Sequence, residues 1–367
     1  MWVARIRVNR GEGMGMIRAR AKAAPPLSIL RSALIGAIAF AGTPAWADEA
    51  GISAWLPGIF GSVSAVPTAP GWSAATVYYH TTVSADGNVA AAREVEIGRF
   101  TPTATANLSA NVNANGDLFF FAPKYTFASP ILGGQLAISV TSVMGHADAN
   151  LNGTLTATIP PFTLLRSDSI ADSVTGFGDL YPTATLKWNQ GVNNWMVYVS
   201  GDAPVGAYDR TRIINLGIGH GALDGGGGYT YFNPKSGTEF SAVAGLTYNF
   251  KNTATDYQNG IDFHLDWAAS QFISKQVFIG AVGYAYEQLT GDSGSGAKLG
   301  PFKSRVEAIG PQIGYIFPIG NLQGVLNAKG YWEFESENRS RGWNTWLTFA
   351  ISNSPPPPPA ATKLVTK

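Results

Sequence analysis

The fold is decided by residues 238–250, which read TEFSAVAGLTYNF. Successive side chains of a β-strand point to opposite faces, so the even and odd positions of this stretch form two surfaces. The even positions are apolar and include the aromatic residues Phe240 and Phe250, whereas the odd positions are mostly small or polar, as at Glu239 and Ser241. This alternation is typical of a strand that crosses a lipid bilayer as part of a barrel wall.

The same alternation recurs along most of the chain, in segments about as long as a tilted strand needs to cross a bilayer. The segments are 72–84, 93–100, 103–113, 117–127, 135–144, 176–189, 194–203, 226–233, 238–250, 261–272, 277–289, 306–317, 325–335 and 343–352. We predict an all-β fold, a transmembrane antiparallel up-and-down β-barrel of 14 strands over residues 72–352. The alternative is 12 strands, if 93–100 merges with 103–113 and 72–84 belongs to an N-terminal plug.

From the fifth predicted strand (135–144) onward, the connections alternate in length. Short ones fall at 189–193, 233–237, 274–276 and 318–323. Longer ones, rich in Gly, Ser and Asp, fall at 146–175, 204–225, 251–260, 291–305 and 336–342. Outer-membrane barrels have short periplasmic turns and long external loops, so this order favours such a barrel over a soluble sandwich.

Residues 1–47 have the features of a signal peptide. A basic region that includes Arg18, Arg20 and Arg31 leads into an apolar stretch at 32–42, and Ala45-Trp46-Ala47 fits a cleavage site. A single N-terminal anchor helix is the open alternative. No later apolar run is long enough for a membrane helix, so we predict export to the outer membrane of a Gram-negative bacterium.

Two further segments flank the predicted barrel. Residues 48–71 are apolar, interrupted by Pro and Gly and not alternating, so they are either an N-terminal lead or a segment that plugs the lumen. Residues 353–367 contain five consecutive prolines at 355–359, which favour a stiff polyproline II tail.

Composition excludes several classes of function. The chain has no cysteine, which removes disulfide and thiol chemistry. Without residues 1–47 it has 18 basic and 23 acidic residues, a balance that argues against nucleic-acid binding. No G-x-S-x-G motif is present, so a barrel-borne hydrolase is only a remote alternative, and we predict no enzyme activity, no catalytic residues and no cofactor.

The alternation also predicts which charged residues line the lumen. Acidic groups dominate the predicted inward set, which favours cations in an aqueous pore, but inward Tyr181, Tyr198, Val243, Ile279 and Tyr331 would suit amphipathic or aromatic solutes. The inward residues taken as ligand-contacting or pore-lining, together with an inward tryptophan, are Lys124, Asp179, Lys187, Glu239, Asp262, His264, Asp266, Glu287, Lys329, Glu333 and Trp346. Asp202 and Glu335 are predicted to point inward as well.

His264 lies between Asp262 and Asp266 on one predicted strand face, with about 7 Å between neighbouring side chains. A metal or proton site and a polar ladder satisfied by water are both compatible with this spacing. No second histidine lies at ligand spacing, so no metal is predicted.

Several stretches carry a family resemblance. They are 228–250, 252–260, the sequence His264-Leu-Asp-Trp267, Gly176-Phe-Gly-Asp-Leu-Tyr-Pro182, Asn215-Leu-Gly217 and 288–300. They resemble the family labelled "protein involved in meta-pathway of phenol degradation". The resemblance covers roughly residues 72–350 and is specific over 176–317. It implies an outer-membrane barrel associated with the catabolism of aromatic or other hydrophobic compounds, and no catalytic residues.

Together these features predict an outer-membrane channel for passive uptake of small aromatic or hydrophobic compounds. Its expected partners are the membrane lipid and those solutes. The alternative is a general-diffusion or structural porin without substrate preference.

Overall fold

The computed structural model describes residues 53–94, 103–159, 161–297, 301 and 303–354. Within these ranges the chain forms twelve strands, all antiparallel to their neighbours. They are β1 (Gly71–Glu94), β2 (Thr103–Thr126), β3 (Gln135–Ile159), β4 (Phe162–Gln190), β5 (Asn193–Asp202), β6 (Ala222–Asn233), β7 (Thr238–Asn249), β8 (Asp262–Phe272), β9 (Val277–Gln288), β10 (Arg305–Ile319), β11 (Leu322–Glu337) and β12 (Arg341–Asn353). Because β1 also pairs with β12, the sheet closes into a barrel.

The strand number matches the alternative of 12 and not the main prediction of 14. However, the predicted segments that merge into one strand are not the ones expected to merge. The predicted strands 103–113 and 117–127 are one strand, β2. Asn115-Gly116 is a strong turn signal in sequence, but both residues pair with β1 and with β3, and this pairing keeps the backbone extended. The segment 72–84 is part of β1 and not of a plug. Of the predicted strand 93–100, only the first two residues are described, at the end of β1.

β1 to β4 are much longer than a bilayer requires. They contain 24, 24, 25 and 29 residues, whereas a barrel strand needs about 9–11. The predicted loop at 146–175 is therefore wrong, because most of these residues continue β3 and β4 as one long hairpin. The four strands project beyond the barrel on the side of the long connections.

The projecting sheet has one apolar face. Ala114, Ala149 and Val174 lie buried on its inner side, where Ile214 and Leu216 of the β5–β6 connection pack against them. The outer side of the same strands carries exposed polar residues, among them Asn113, Asn150, Asn152 and Ser173. The β5–β6 connection thus closes the gap between this sheet and the rest of the barrel mouth.

The outer surface of the barrel is apolar. Phe121, Phe240, Leu246, Leu347 and Phe349 are each more than two-fifths exposed, and they alternate with less exposed neighbours. A contiguous exposed apolar surface of this kind belongs in lipid or against a partner and is not typical of a water-soluble monomer.

β9 faces the opposite way from the prediction. Ile279 and Glu287 are exposed on the outside, while Val282, Tyr284 and Tyr286 are buried inside. The prediction assumed that the charged residue of this strand points inward. The inward tyrosines reach polar partners in the lumen, as when Tyr284 donates its hydroxyl to Glu333 at 2.6 Å.

No helix in the ranges that the structure describes is long and apolar enough to cross a membrane.

Candidate functional site: an occluded barrel lumen

The N-terminal residues 53–70 run into the barrel and bond to its inner wall. Asp266 on β8 accepts the backbone N–H of Gly58 at 2.9 Å and that of Phe60 at 3.0 Å, one on each carboxylate oxygen. Gly58 has a φ of +92°, and a Cβ there would lie 3.1 Å from the Tyr331 ring. Glycine is therefore needed at this position for its backbone conformation and for the close approach of β11.

A second carboxylate binds the same segment a few residues further along the chain. Glu239 on β7 accepts the hydroxyl of Ser62 at 2.7 Å and the N–H of Val63 at 2.9 Å. Val63 has a φ of +57°, a conformation that costs a β-branched residue about 1–2 kcal/mol. The bond to Glu239 helps to hold it there.

Two lysines bind the carbonyl groups of this segment. Lys329 on β11 donates to the carbonyl oxygens of Gly58 and Phe60, and Lys187 on β4 donates to those of Ser64 and Val66. Carboxylates thus take the N–H groups and ammonium groups take the C=O groups. Because most of these contacts go to the backbone, they position the segment with little dependence on its side chains.

His264 anchors the apolar start of the segment. Its ring stacks on that of Trp55, with 3.7 Å between ring centroids and 11° between planes. Its Nε2 lies 2.8 Å from Asp224 on β6 and 3.3 Å from the Tyr198 hydroxyl on β5. The His264 imidazole therefore bridges the segment to a polar cluster on the wall.

The three residues predicted to form one face of β8 do share that inward face, and they are at most 1% exposed. They serve different partners, however. Asp262 accepts the Asn249 amide at 2.8 Å, His264 contacts Asp224 and Trp55, and Asp266 binds the segment. Among the described side chains, no group of three or more His, Asp or Glu is arranged to hold a metal ion.

The segment does not fill the lumen evenly. A cavity of about 380 Å³ remains between it and a wall formed mainly by β1 to β5. The wall contributes aromatic and apolar side chains, chiefly Tyr79, Phe120, Val143, Tyr181, Met196 and Tyr198. Hydroxyl groups of Ser139, Thr183 and Thr185 interrupt this apolar lining. The volume lies within the range of small-molecule pockets, which are about 300–1,000 Å³ and mostly apolar.

Other predicted site residues are dispersed around this cavity. Lys124, Lys187 and Glu333 line it, as does Asp202. Trp346 is buried beside it, with the Lys329 ammonium 4.9 Å from its ring centroid.

Two predicted residues serve elsewhere. Asp179 accepts the N–H groups of Gly206 and Ile218, both at 2.7 Å, and so fixes the β5–β6 connection. Glu335 is exposed and pairs with Arg305 at 2.9 Å. Glu287 lies outside the lumen and is not part of the candidate site.

Sequence reasoning missed Trp55, Tyr79, Phe120 and Asp224 as lumen residues. Asp224 precedes a run of four glycines, which have no side chains and so give no alternation of polarity. In addition, β6 starts four residues earlier than predicted. Extending that alternation back from Tyr229 would have placed Asp224 on the face opposite to Tyr229. Trp55 lies outside any strand, so no periodicity could assign its position.

One ion pair in the long connections has a strongly perturbed carboxyl group. The Lys251 ammonium and the Ser295 hydroxyl hold the pKa of Asp256 well below its usual range, because both stabilise the carboxylate. Ser295 also donates its N–H to Asp256 at 3.0 Å. This carboxylate links the β7–β8 connection to the β9–β10 connection at the outer mouth.

Fold and site together define a closed β-barrel of the membrane type, with a lumen occupied by its own N-terminal segment. The sequence model of the family described as MetA-pathway of phenol degradation matches residues 97–349, and the chain belongs to this family. The resemblance drawn from the sequence is thus confirmed. A comparison with curated proteins finds no significant match.

Two solved structures match the chain. An outer membrane channel from Pseudomonas putida F1 is 13% identical, and the match covers 79% of this chain and 98% of that one, with a TM-score of 0.56. A Pseudomonas aeruginosa FadL homologue is 8% identical, with 85% and 97% covered and a TM-score of 0.40. The first of these supports the closed-barrel fold.

Proposed function

We propose that the protein is an outer-membrane channel that admits small aromatic or hydrophobic compounds by passive diffusion, in support of their catabolism. The observation that carries this proposal is the cavity of about 380 Å³ inside the barrel, lined by Phe120, Tyr181 and Tyr198. A general-diffusion pore has a polar, water-filled lumen, and this lumen is partly apolar and occupied.

Membrane location is supported by the exposed apolar surface of the barrel. Outward Phe240, Leu246 and Phe349 would be unfavourable in water but are suited to contact with lipid. The expected export signal at 1–47 leads to the same compartment, and family membership associates the chain with the degradation of phenolic compounds.

In this proposal residues 53–70 act as the gate. They are held mainly by hydrogen bonds from their backbone groups to Asp266, Glu239, Lys187 and Lys329, and the described part of the segment pairs with no strand. Such contacts break individually, so the segment can shift without unfolding the barrel. Displacement would join the cavity to both ends of the lumen.

The test combines transport and conductance. The chain from residue 48 onward is refolded and inserted into planar bilayers, with and without phenol, and liposome swelling is measured with solutes of matched size. We expect few openings at rest, block of the open state by phenol, and faster entry of aromatic solutes than of sugars of equal size. Entry rates set by solute size alone would contradict the proposal and favour a general-diffusion porin. Hydrolysis of an ester substrate by the refolded barrel would instead indicate an enzyme.

A further inference from the structure

We propose that the cavity contains a carboxylate-binding site formed by Lys124 and Lys187, and that its preferred occupant is a single-ring aromatic carboxylate. This inference rests on the proposed function and specifies which aromatic compounds the cavity binds best. It concerns the end of the cavity near the short turns, where β2 and β4 terminate.

Both lysines belong to this end of the lumen. Lys124 is close to the end of β2 at Thr126, and Lys187 is close to the end of β4 at Gln190. Both line the cavity. In register, Lys124 pairs with Ser139 on β3, which in turn pairs with Thr183 on β4. Lys187 lies on the same face of β4 as Thr183, two inward positions further along the strand.

Among the described residues, neither ammonium group has an acidic partner. The ion pairs formed by described side chains involve other residues. Lys187 donates only to the two carbonyl groups of the N-terminal segment, and Lys124 makes no side-chain hydrogen bond in the described part of the chain. A charge held in an apolar cavity without a counter-charge is unfavourable, so the site is suited to an anion.

The surroundings favour a carboxylate on an aromatic ring over a small inorganic anion. The hydroxyl groups of Ser139, Thr183 and Thr185 line the cavity beside the lysines and can donate to carboxylate oxygens. Phe120 and Tyr181 provide flat apolar surface in the same cavity. One end of the ligand would meet charge and hydroxyl groups, while its ring would pack on aromatic side chains.

The acids of the cavity give the ligand a direction. Asp202 is the last residue of β5 and Asp224 is near the start of β6, both at the end with the long connections. Asp202 is 8% exposed and interacts with the Tyr181 hydroxyl. A ligand carboxylate finds ammonium and hydroxyl donors at the lysine end and acidic side chains at this outer end, so an aromatic acid would bind with its carboxylate toward the short turns.

The probes that test this site are benzoate and benzamide, which share a ring and a planar head group but differ in charge. Equilibrium dialysis measures the binding of each labelled probe to the refolded chain from residue 48 onward. We expect benzoate to bind at least about tenfold more tightly than benzamide, as a charge-assisted hydrogen bond would produce. Lys124→Met should remove that preference, so that the two probes bind equally, and Lys124→Arg should retain it.

A matched control is Lys235→Met, which removes an exposed lysine from the β6–β7 turn. It should leave the benzoate preference unchanged. If Lys124→Met does not refold, as judged by heat-modifiable gel mobility, the salt dependence of the unmodified chain is used. Rising sodium chloride should then weaken benzoate binding, because chloride competes with the carboxylate for the ammonium groups, and leave benzamide binding unaffected.

The outcomes separate the two proposals. Equal affinity for benzoate and benzamide, or a preference that persists in Lys124→Met, overturns the carboxylate site while the aromatic channel stands. Failure of the unmodified chain to bind either probe overturns both. A benzoate preference that disappears in Lys124→Met and survives in Lys235→Met supports the site.

Discussion

Replacing Asp266 by Asn should release the N-terminal segment from the barrel wall. The carboxylate oxygens accept two backbone N–H groups of the segment, at 2.9 and 3.0 Å. Asn has nearly the same shape but only one oxygen, so its NH₂ group would face one of these N–H donors. The substitution also removes the negative charge close to Lys329, which binds the carbonyl of Gly58.

The size of this effect follows from the bonds that change. A hydrogen bond to a charged group contributes about 1.5–3 kcal/mol and a neutral one about 0.5–1.5 kcal/mol. Asp266→Asn loses one charged bond and converts the other into a neutral one, which weakens docking by about 2–4 kcal/mol. The ratio of undocked to docked segment should rise roughly 30- to 1,000-fold.

Single-channel recording measures this ratio as the fraction of time spent open. Asp262→Asn is the matched control, because it makes the same chemical change on the same buried face of β8 but its observed partner is Asn249 on the neighbouring strand. Deletion of residues 53–66 serves as the fully open reference. If the deletion opens the channel and Asp266→Asn records like the unmodified chain, the backbone-anchor argument is refuted.

Three further changes test other parts of the structure. Gly58→Ala forces an L side chain into a φ of +92° at about 1–2 kcal/mol, and should raise the open fraction about tenfold in the same recordings. Asp179→Asn removes an acceptor from the β5–β6 connection and should speed amide hydrogen exchange there, without a change in the open fraction. Asp256 has a lowered pKa, so its contribution to loop docking is complete above its ordinary value of 3.8 and is lost only as pH falls through the lower folded value. Protease protection of the β7–β8 connection should therefore be equal at pH 7 and pH 5, and Lys251→Met should move its loss to higher pH.

A specific result would contradict each of these predictions. An alanine at 58 that leaves the open fraction unchanged would mean that the segment tolerates a shift away from β11. Unchanged exchange in Asp179→Asn would mean that apolar packing alone holds the β5–β6 connection. Loss of protease protection between pH 7 and pH 5 in the unmodified chain would exclude Asp256 as the controlling group.

The alternation of side chains predicted the barrel well wherever one face is apolar. In β7 and β8 the polar positions face the lumen and the apolar positions face outward, as predicted, because lipid and lumen impose opposite polarity on the two faces. It failed at β9, where inward tyrosines and small outward residues make both faces similar in polarity. It also failed at Asn115-Gly116, where pairing on both sides overrides a local turn preference.

The site was less accessible to sequence reasoning than the wall. Asp266 and Glu239 were identifiable as inward acids, but nothing in the sequence indicates that their partners are backbone groups of residues 58–63. Such contacts join residues that have no shared periodicity. They depend on how the barrel closes, which is a property of the whole sheet.

The separation in sequence between the N-terminal segment and its partners constrains how the protein assembles. The bonds from Asp266 and Lys329 to the segment join residues 206 to 271 positions apart. Contacts of such long range form late, since the loop between them must be closed first. The segment directly precedes β1, and β1 completes the barrel by pairing with β12. The strand that completes the barrel is therefore also the strand to which the segment is joined, so closure of the wall and docking of the segment are linked steps of assembly.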